Sequence, residues 1–436
     1  MVTKNDLHDV KKPFLLGIGG IGISAIARMF LAEGKEVFGS DSSDSEIIAE
    51  LRKVGAKIEI GQSVDLVPRG VDLIIYTVAI EVAEPKLIHT LKKGNVPVRS
   101  YPEILNIISK DKFTIAVSGT HGKTTTTAMI AQIMIDAEMD PTVIVGSLLK
   151  DSKSNFVAGK SKYLVVEACE YRKSFLNINP TVAVITNIDN DHLDYYKDVG
   201  DIARAFGEFV SLIPKNGVVV ADLKDENVKI AIKDFTKEKV DYVLQSDLDL
   251  DLKVPGKHNI QNAKAALAVA KILGIKRDDA VRSLNNFGGT WRRFEYKGKS
   301  KGGAFVYDDY GHHPTEIKAT LQGAREIYKE NKIIVVFQPH LYSRTKILLD
   351  DFAKSFYLAN EVILAPIYAA RETSDPMISS EILAKEISKN NAITRVKSMN
   401  NFREIEAYLL SELKKDDVLI TMGAGEANKI SDKLVL

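Results

Sequence analysis

Ile115-Ala116-Val117-Ser118-Gly119-Thr120-His121-Gly122-Lys123-Thr124-Thr125 reads as a buried strand, a glycine-bearing loop and a helix that begins near Thr124. Consecutive backbone N–H groups in such a loop, at the positive end of a helix dipole, make a seat for polyphosphate. Lys123 is suited to neutralise β/γ-phosphate charge, and the Thr124 hydroxyl to ligate Mg²⁺. The common G-x-x-x-x-G-K-T pattern would place its first glycine at Val117, so the match is incomplete. A chance Gly/Thr turn is the alternative, and the Lys-Thr pair at the helix start argues against it. A strand that feeds a helix through such a loop belongs to a parallel, helix-covered sheet.

The same alternation extends on both sides. Upstream, Pro13 to Ile18, Val37 to Asp41 and Leu73 to Val78 are short apolar runs, and the stretch up to Glu33 has helical spacing. Downstream, Tyr163 to Glu167 and Thr181 to Thr186 are continuous apolar strands of the kind buried on both faces. A helix over Asn259 to Leu273 ends at Gly274, a plausible C-cap. Ile333 to Phe337, Val362 to Ala365 and Val418 to Gly423 repeat the pattern. Charged residues near Lys110 and the glycines at 288 and 289 mark boundaries, giving three α/β units: 1–110, 111–290 and 291–436.

A chain of 436 residues exceeds what one hydrophobic core supports. Lys plus Arg number 59 against 58 for Asp plus Glu, so charge offers no reason to expect a nucleic-acid partner. The basic run Lys297 to Lys301 lacks interleaved aromatics and reads as a solvated loop. Cys169 is the single cysteine, which rules out an intrachain disulfide or a cysteine-built zinc cluster and suits a reducing cytoplasm. It is expected to be a small core residue rather than a nucleophile. The N-terminal residues lack the layout of a secretory signal, and no apolar stretch is long enough to span a bilayer. The expectation is a soluble, cytoplasmic protein without membrane insertion.

A second phosphate-binding candidate is Gly17-Ile18-Gly19-Gly20-Ile21-Gly22, which fits G-x-G-x-x-G after the first strand, with Asp41 about twenty residues on. A glycine loop at a helix start accepts any pyrophosphate, so the motif alone does not specify a nicotinamide cofactor. Glycines serving only close helix–strand packing are the alternative. Two phosphate loops ask for two phosphorylated ligands. In the middle unit, Glu167 closes one strand, while Asp189, Asp191 and His192 follow another. Strand ends in an open parallel sheet face the ligand crevice, so these groups point to a metal beside the phosphate loop. In the last unit the loops Tyr307 to Glu316 and Gln338 to Thr345 offer aromatic, imidazole and guanidinium groups. Adjacent His312 and His313 cannot both face one site on regular structure, so zinc is not indicated.

Taken in order, these motifs resemble the Mur ligase family of peptidoglycan precursor synthesis. The resemblance runs through Gly17 to Gly22, Ser118 to Thr125, Glu167-Ala168-Cys169-Glu170-Tyr171-Arg172, Thr186 to Asp189 with Asp191-His192, and His258-Asn259 with Asn262. It continues through Arg292-Arg293-Phe294-Glu295, Asp308 to Glu316, Phe337 to His340 and Met422 to Gly425. Two departures are Glu170-Tyr171-Arg172, where many members carry an acidic Asp-Glu-Ser-Asp stretch, and Glu426, where Asp is expected.

The resemblance implies an N-terminal Rossmann-like domain for a UDP-sugar, a central P-loop ATPase-like parallel sheet and a C-terminal Rossmann-like domain. It also accounts for the missing first glycine, because the family pattern is G-T-x-G-K-T. It implies an ATP-dependent carboxylate–amine ligase that joins L-alanine to the lactyl carboxylate of UDP-N-acetylmuramate through an acyl phosphate, with Mg²⁺. The phosphate loop Gly119, Thr120, His121, Gly122, Lys123, Thr124 and Thr125 would hold ATP, with His258, Asn262 and Tyr310 around the adenine. Thr124, Glu167 and His192 would hold the metal, and Lys123, Glu167 and His192 would carry catalysis. Gly17, Gly19, Gly20, Gly22, Ser40 and Asp41 would meet the UDP-sugar, and His340 and Arg344 would anchor carboxylates. The rivals are a recycling ligase that adds a preformed murein tripeptide, a Rossmann oxidoreductase using NAD, and a non-catalytic nucleotide switch.

Overall fold

Apolar runs too short for a helix become strands buried on both faces, because alternate residues point to opposite sides of a sheet and each side is covered. The computed structural model describes residues 4–150, 153–192, 195–370, 372–390 and 394–435. The first sheet comprises β1 (Pro13–Leu16), β2 (Phe38–Asp41), β3 (Lys57–Ile60), β4 (Leu73–Tyr76) and β5 (Val98–Ser100). Its order is β3-β2-β1-β4-β5, all parallel.

The second sheet holds β6 (Phe113–Ser118), β7 (Thr142–Leu149), β8 (Ser154–Val157), β9 (Tyr163–Glu167), β10 (Val182–Ile185), β11 (Val218–Ala221) and β12 (Glu238–Asp241). The order β12-β11-β10-β6-β9-β7-β8 puts the phosphate-loop strand β6 between β10 and β9. Only the β7–β8 pair is antiparallel. Chain direction switches sides at β6, and such a switch point opens a crevice at the carboxyl ends of the strands.

The third sheet has β13 (Glu295–Lys299), β14 (Phe305–Asp309), β15 (Ile333–Phe337), β16 (Glu361–Leu364), β17 (Arg395–Ser398) and β18 (Val418–Met422), in the order β13-β14-β18-β15-β16-β17. Its two faces bury separate cores, one around Ile317, Phe337 and Phe352 and the other around Val306, Ile405 and Leu419. The fold is therefore α/β with three parallel-dominated sheets.

The basic segment expected to be a solvated loop is instead the end of β13 and the turn that follows, paired antiparallel with β14. An edge strand leaves one side open, so Lys297 and Lys299 are tolerated there, and Lys297 reaches Asp432 at 2.9 Å. By compactness the chain forms two units, residues 1–250 with 262–285 and residues 251–261 with 286–436. Within the first unit one continuous core joins the first two sheets, from Leu15 and Phe30 to Leu164 and Phe206. The helix Ile21–Ala32 is tied to β8 by the buried Asn155, whose amide donates to Ile21 O and, at 2.9 Å, to Ser24 Oγ.

Candidate active site

The phosphate loop leaves β6 through Gly119 at φ +133° and enters the helix Lys123–Asp136 through Gly122 at φ +82°. Both positions suit only glycine: a Cβ on Gly119 would lie 2.0 Å from Thr186 Oγ1. The end of β10 braces the loop. Thr120 N donates to Asn187 O, and His121 N donates to Asn187 Oδ1, each at 3.0 Å. His121 O accepts from Asn187 Nδ2 at 3.0 Å and Thr186 Oγ1 at 2.5 Å. Thr120 Oγ1 accepts from Asp189 N at 2.8 Å, and the His121 ring lies 3.3 Å from Asp189 Oδ2. No acidic residue stands in the first helical turn and Gly122 provides no side-chain cap, so the positive helix end is open to an anion. Thr124 is buried and Thr125 half-buried in that turn.

Lys123 arches back over its own loop. Its ammonium donates to Gly119 O at 2.6 Å, Thr120 O at 3.0 Å and Glu170 Oε1 at 3.0 Å. Glu170, 2% exposed, also lies 3.5 Å from His192 Nε2. Burial alone would push the Glu170 carboxyl up, but the Lys123 ammonium and then His192 outweigh it and hold the pKa below the ordinary glutamate value. Burial would likewise lower Lys123, and Glu170 ahead of Cys169 and Glu167 raises it instead. Lys123 stays a cation.

Glu167, expected from the sequence, ends β9 beside this group, but its carboxylate accepts from Gly146 N at 2.8 Å. The carboxylate in contact with Lys123 and His192 is Glu170, three residues on. Cys169, expected in the core, is exposed, because the chain turns outward between buried Ala168 and Glu170 as it leaves the sheet. Glu170 and His192 meet at Lys123, while Thr124 stands in the first helical turn and Glu167 at the end of β9; hydroxyl and carboxylate oxygens of this kind suit a hard divalent cation such as Mg²⁺.

In the N-terminal glycine loop, Gly17 N and Ile18 N donate to Ser40 O at 2.8 and 3.1 Å, Gly20 N donates to Gly17 O at 2.9 Å, and Gly19 N donates to Asp41 Oδ2 at 2.9 Å. Asp41 thus braces the loop from inside. A Cβ on Gly17 would lie 2.3 Å from Thr77 Cγ2, and one on Gly22 would lie 2.9 Å from the Tyr101 ring. Ser40 is fully buried, and its hydroxyl has no hydrogen-bond partner.

The remaining expected residues divide between the two units. Asn262 lies in the first, with its amide oxygen against Gly122. His258, Tyr310, His340 and Arg344 lie in the second. Burial, and then Arg293, push the His258 imidazole below its ordinary value, although Glu326 and Glu316 oppose them. The Tyr310 ring is flanked by the guanidinium groups of Arg292 and Arg293 at 5.3 and 5.2 Å. Buried Arg292 is fixed by Asp308 at 2.7 Å and by the carbonyls of Gly423 and Gly425. Arg344 Nη1 donates to His340 Nδ1 at 3.1 Å, and the His340 ring stacks on Tyr368. His313 is a helix N-cap, its Nδ1 accepting from Thr315 N while Glu316 completes the capping box.

Three sequence profiles cover most of the chain: Mur ligase family, catalytic domain, over residues 15–113; Mur ligase middle domain over 117–249; and Mur ligase, glutamate ligase domain, over 292–425. The chain is 42% identical to the UDP-N-acetylmuramate–L-alanine ligase of Clostridium acetobutylicum and 41% identical to that of Clostridium tetani, with 98% of each chain covered in both cases. Among solved structures, UDP-N-acetylmuramate–alanine ligase from Thermotoga maritima matches with a TM-score of 0.82 at 28% identity over 98% of each chain. A murein peptide ligase from Psychrobacter arcticus shares the fold, with a TM-score of 0.73 at 23% identity over 97% of this chain and 98% of that one.

Proposed function

The chain belongs to the Mur ligase family, and from that premise we propose that it is the ATP-dependent ligase joining L-alanine to the lactyl carboxylate of UDP-N-acetylmuramate in peptidoglycan precursor synthesis. The observation that carries the chemistry is the convergence of Lys123, Glu170 and His192 beside a glycine loop whose helix end is open. A general anion site needs the loop alone. Phosphoryl transfer needs a cation on the transferring group and fixed acceptor groups around it.

The lactyl carboxylate attacks the γ-phosphorus of ATP, the bond to the β-bridging oxygen breaks, and ADP leaves. The amine of L-alanine then adds to the acyl phosphate carbonyl, loses a proton, and the tetrahedral intermediate expels phosphate. Lys123 and the loop amides of Gly119 to Thr125 hold the triphosphate and neutralise charge as it moves. Thr124, Glu167 and His192 are the residues we assign to Mg²⁺. Bound there, Mg²⁺ would supply charge neutralisation to the phosphates. We assign Gly17, Gly19, Gly20, Gly22, Ser40 and Asp41 to the UDP-sugar, His258, Asn262 and Tyr310 to the adenine, and His340 with Arg344 to a substrate carboxylate. The domain limits that accompany this reading are 1–110, 111–290 and 291–436. No helix among the described residues is long and apolar enough to cross a membrane, and we place the reaction in the cytoplasm.

The test is phosphate release with ATP, Mg²⁺ and UDP-N-acetylmuramate, comparing L-alanine with the tripeptide L-Ala-γ-D-Glu-diaminopimelate as acceptor. Turnover with L-alanine, lost in EDTA and restored by Mg²⁺, is expected. Turnover with the tripeptide alone would make the chain a recycling ligase.

A further inference from the structure

Glu170 is held in place more firmly than an ion-pair partner requires. Its carbonyl accepts from the Tyr196 hydroxyl at 2.6 Å and from Lys173 N at 2.9 Å. The two residues after Tyr171 are both left-handed without being glycine, Arg172 at φ 52° and Lys173 at φ 57°. His192, whose ring nitrogen lies near the same carboxylate oxygen that Lys123 meets, is left-handed as well, at φ 54°, and the Tyr171 ring packs on its imidazole at 4.8 Å. Non-glycine residues persist in that region only where their surroundings over-determine them, and such residues cluster at functional sites. The result is a carboxylate, 2% exposed, aimed at both the phosphate-loop lysine and His192.

A structural ion pair is the competing account, but a buried pair is a weak source of stability once desolvation is counted. It would also not call for a strained segment to aim it. Lys123 lies folded onto the loop's own carbonyls, and it must leave them to reach a nucleotide. We infer that Glu170 is a positioning residue of the phosphoryl-transfer site: it holds the Lys123 ammonium and the His192 imidazole in register, and it competes with the triphosphate for Lys123. The inference rests on the ligase reading, because it takes Lys123 to meet ATP.

A carboxylate that competes with phosphate for Lys123 weakens ATP binding yet supports catalysis, so its removal should separate the two. In the full-length Glu170→Gln variant, which keeps the shape and loses the charge, kcat should fall by about 10- to 100-fold, the scale on which misplacement of a catalytic group matters. Kd for ATP, measured by calorimetry, should stay the same or tighten by up to about tenfold. Glu170→Asp should restore part of kcat, and it serves as the test variant if Glu170→Gln does not fold. A kcat within about twofold of the unaltered chain would overturn the inference. So would a loss of ATP affinity in proportion to kcat, the mark of a merely structural role. Failure of the unaltered chain to bind ATP would instead remove the ligase reading itself.

Discussion

Asn262 stands against the phosphate loop at the point where no side chain fits: a Cβ on Gly122 would lie 2.4 Å from the Asn262 amide oxygen. The contact joins a helix reached more than a hundred residues later to the residue that starts the helix of Lys123. It explains a requirement beyond backbone freedom. Gly122 must be small as well as left-handed, since its φ is +82° and the neighbouring side chain occupies the space above it.

Gly122→Ala should therefore destabilise the chain by about 1–3 kcal/mol through backbone strain and should weaken ATP binding. Urea unfolding and nucleotide titration measure the two effects. Adding Asn262→Ala should relieve the steric part and leave the strain. A double variant no more stable than the sum of its parts would show that the contact does not matter.

Lys123→Ala should lower ADP formation by about a hundredfold or more, as expected when a charge-stabilising group is lost from a transition state. UDP-N-acetylmuramate binding, followed by calorimetry, should be unchanged. Loss of both together would contradict separate sites for the two phosphorylated ligands. Stability should drop too, by about 3 kcal/mol, because Glu170 would remain buried without its cation.

Asp41 braces Gly19 from inside the N-terminal loop, so the carboxylate that a nicotinamide-binding fold would turn to the cofactor's ribose accepts instead from a loop amide. Asp41→Asn should weaken UDP-N-acetylmuramate by about tenfold and leave ATP affinity alone. NADH should give no fluorescence transfer from Trp291. Saturable NADH binding would revive an oxidoreductase.

Asp309, in the second unit, offers a separate test of electrostatics. Burial pushes its carboxyl up to about 6, against the opposing Arg293 charge and the amides of Gly311 and Phe294. A folded-state pKa above the unfolded value means the contribution is fully present below about pH 4 and is lost as pH rises through about 6. The swing is about 3 kcal/mol at 1.36 kcal/mol per unit. Asp309→Asn should flatten stability between those limits when unfolding is followed as a function of pH. An unchanged slope would mean that the carboxyl titrates normally.

Much of this architecture was readable from residue patterns. Val182–Ile185 and Ile333–Phe337 are apolar at every position because helices cover both faces of their sheets, and that local cause leaves a local mark. The glycine loops were readable for the same reason, since each glycine answers a nearby steric demand. Glu170 was not. Its meaning depends on Lys123, 47 residues earlier, and on His192, and neither spacing nor periodicity records that meeting. Lys297 to Lys301 misled in the other direction, because an edge strand looks like a loop when its exposed side carries the charge. His313, where the adjacent histidine pair did not indicate zinc, starts a helix, its ring nitrogen accepting from Thr315 N.

The stitch made by Asn155 sets the scale on which the first unit lives or dies. Its amide grips Ile21 and Ser24 from the far side of a domain boundary, and the apolar residues of the helix Ile21–Ala32 share their interior with the central sheet. What sequence profiles delimit as two modules shares, in this chain, one continuous apolar core. A fragment cut at residue 110 would carry the N-terminal glycine loop intact while losing the apolar residues of the central sheet that share its core. The seam at which the profiles divide the chain is not a seam in its core.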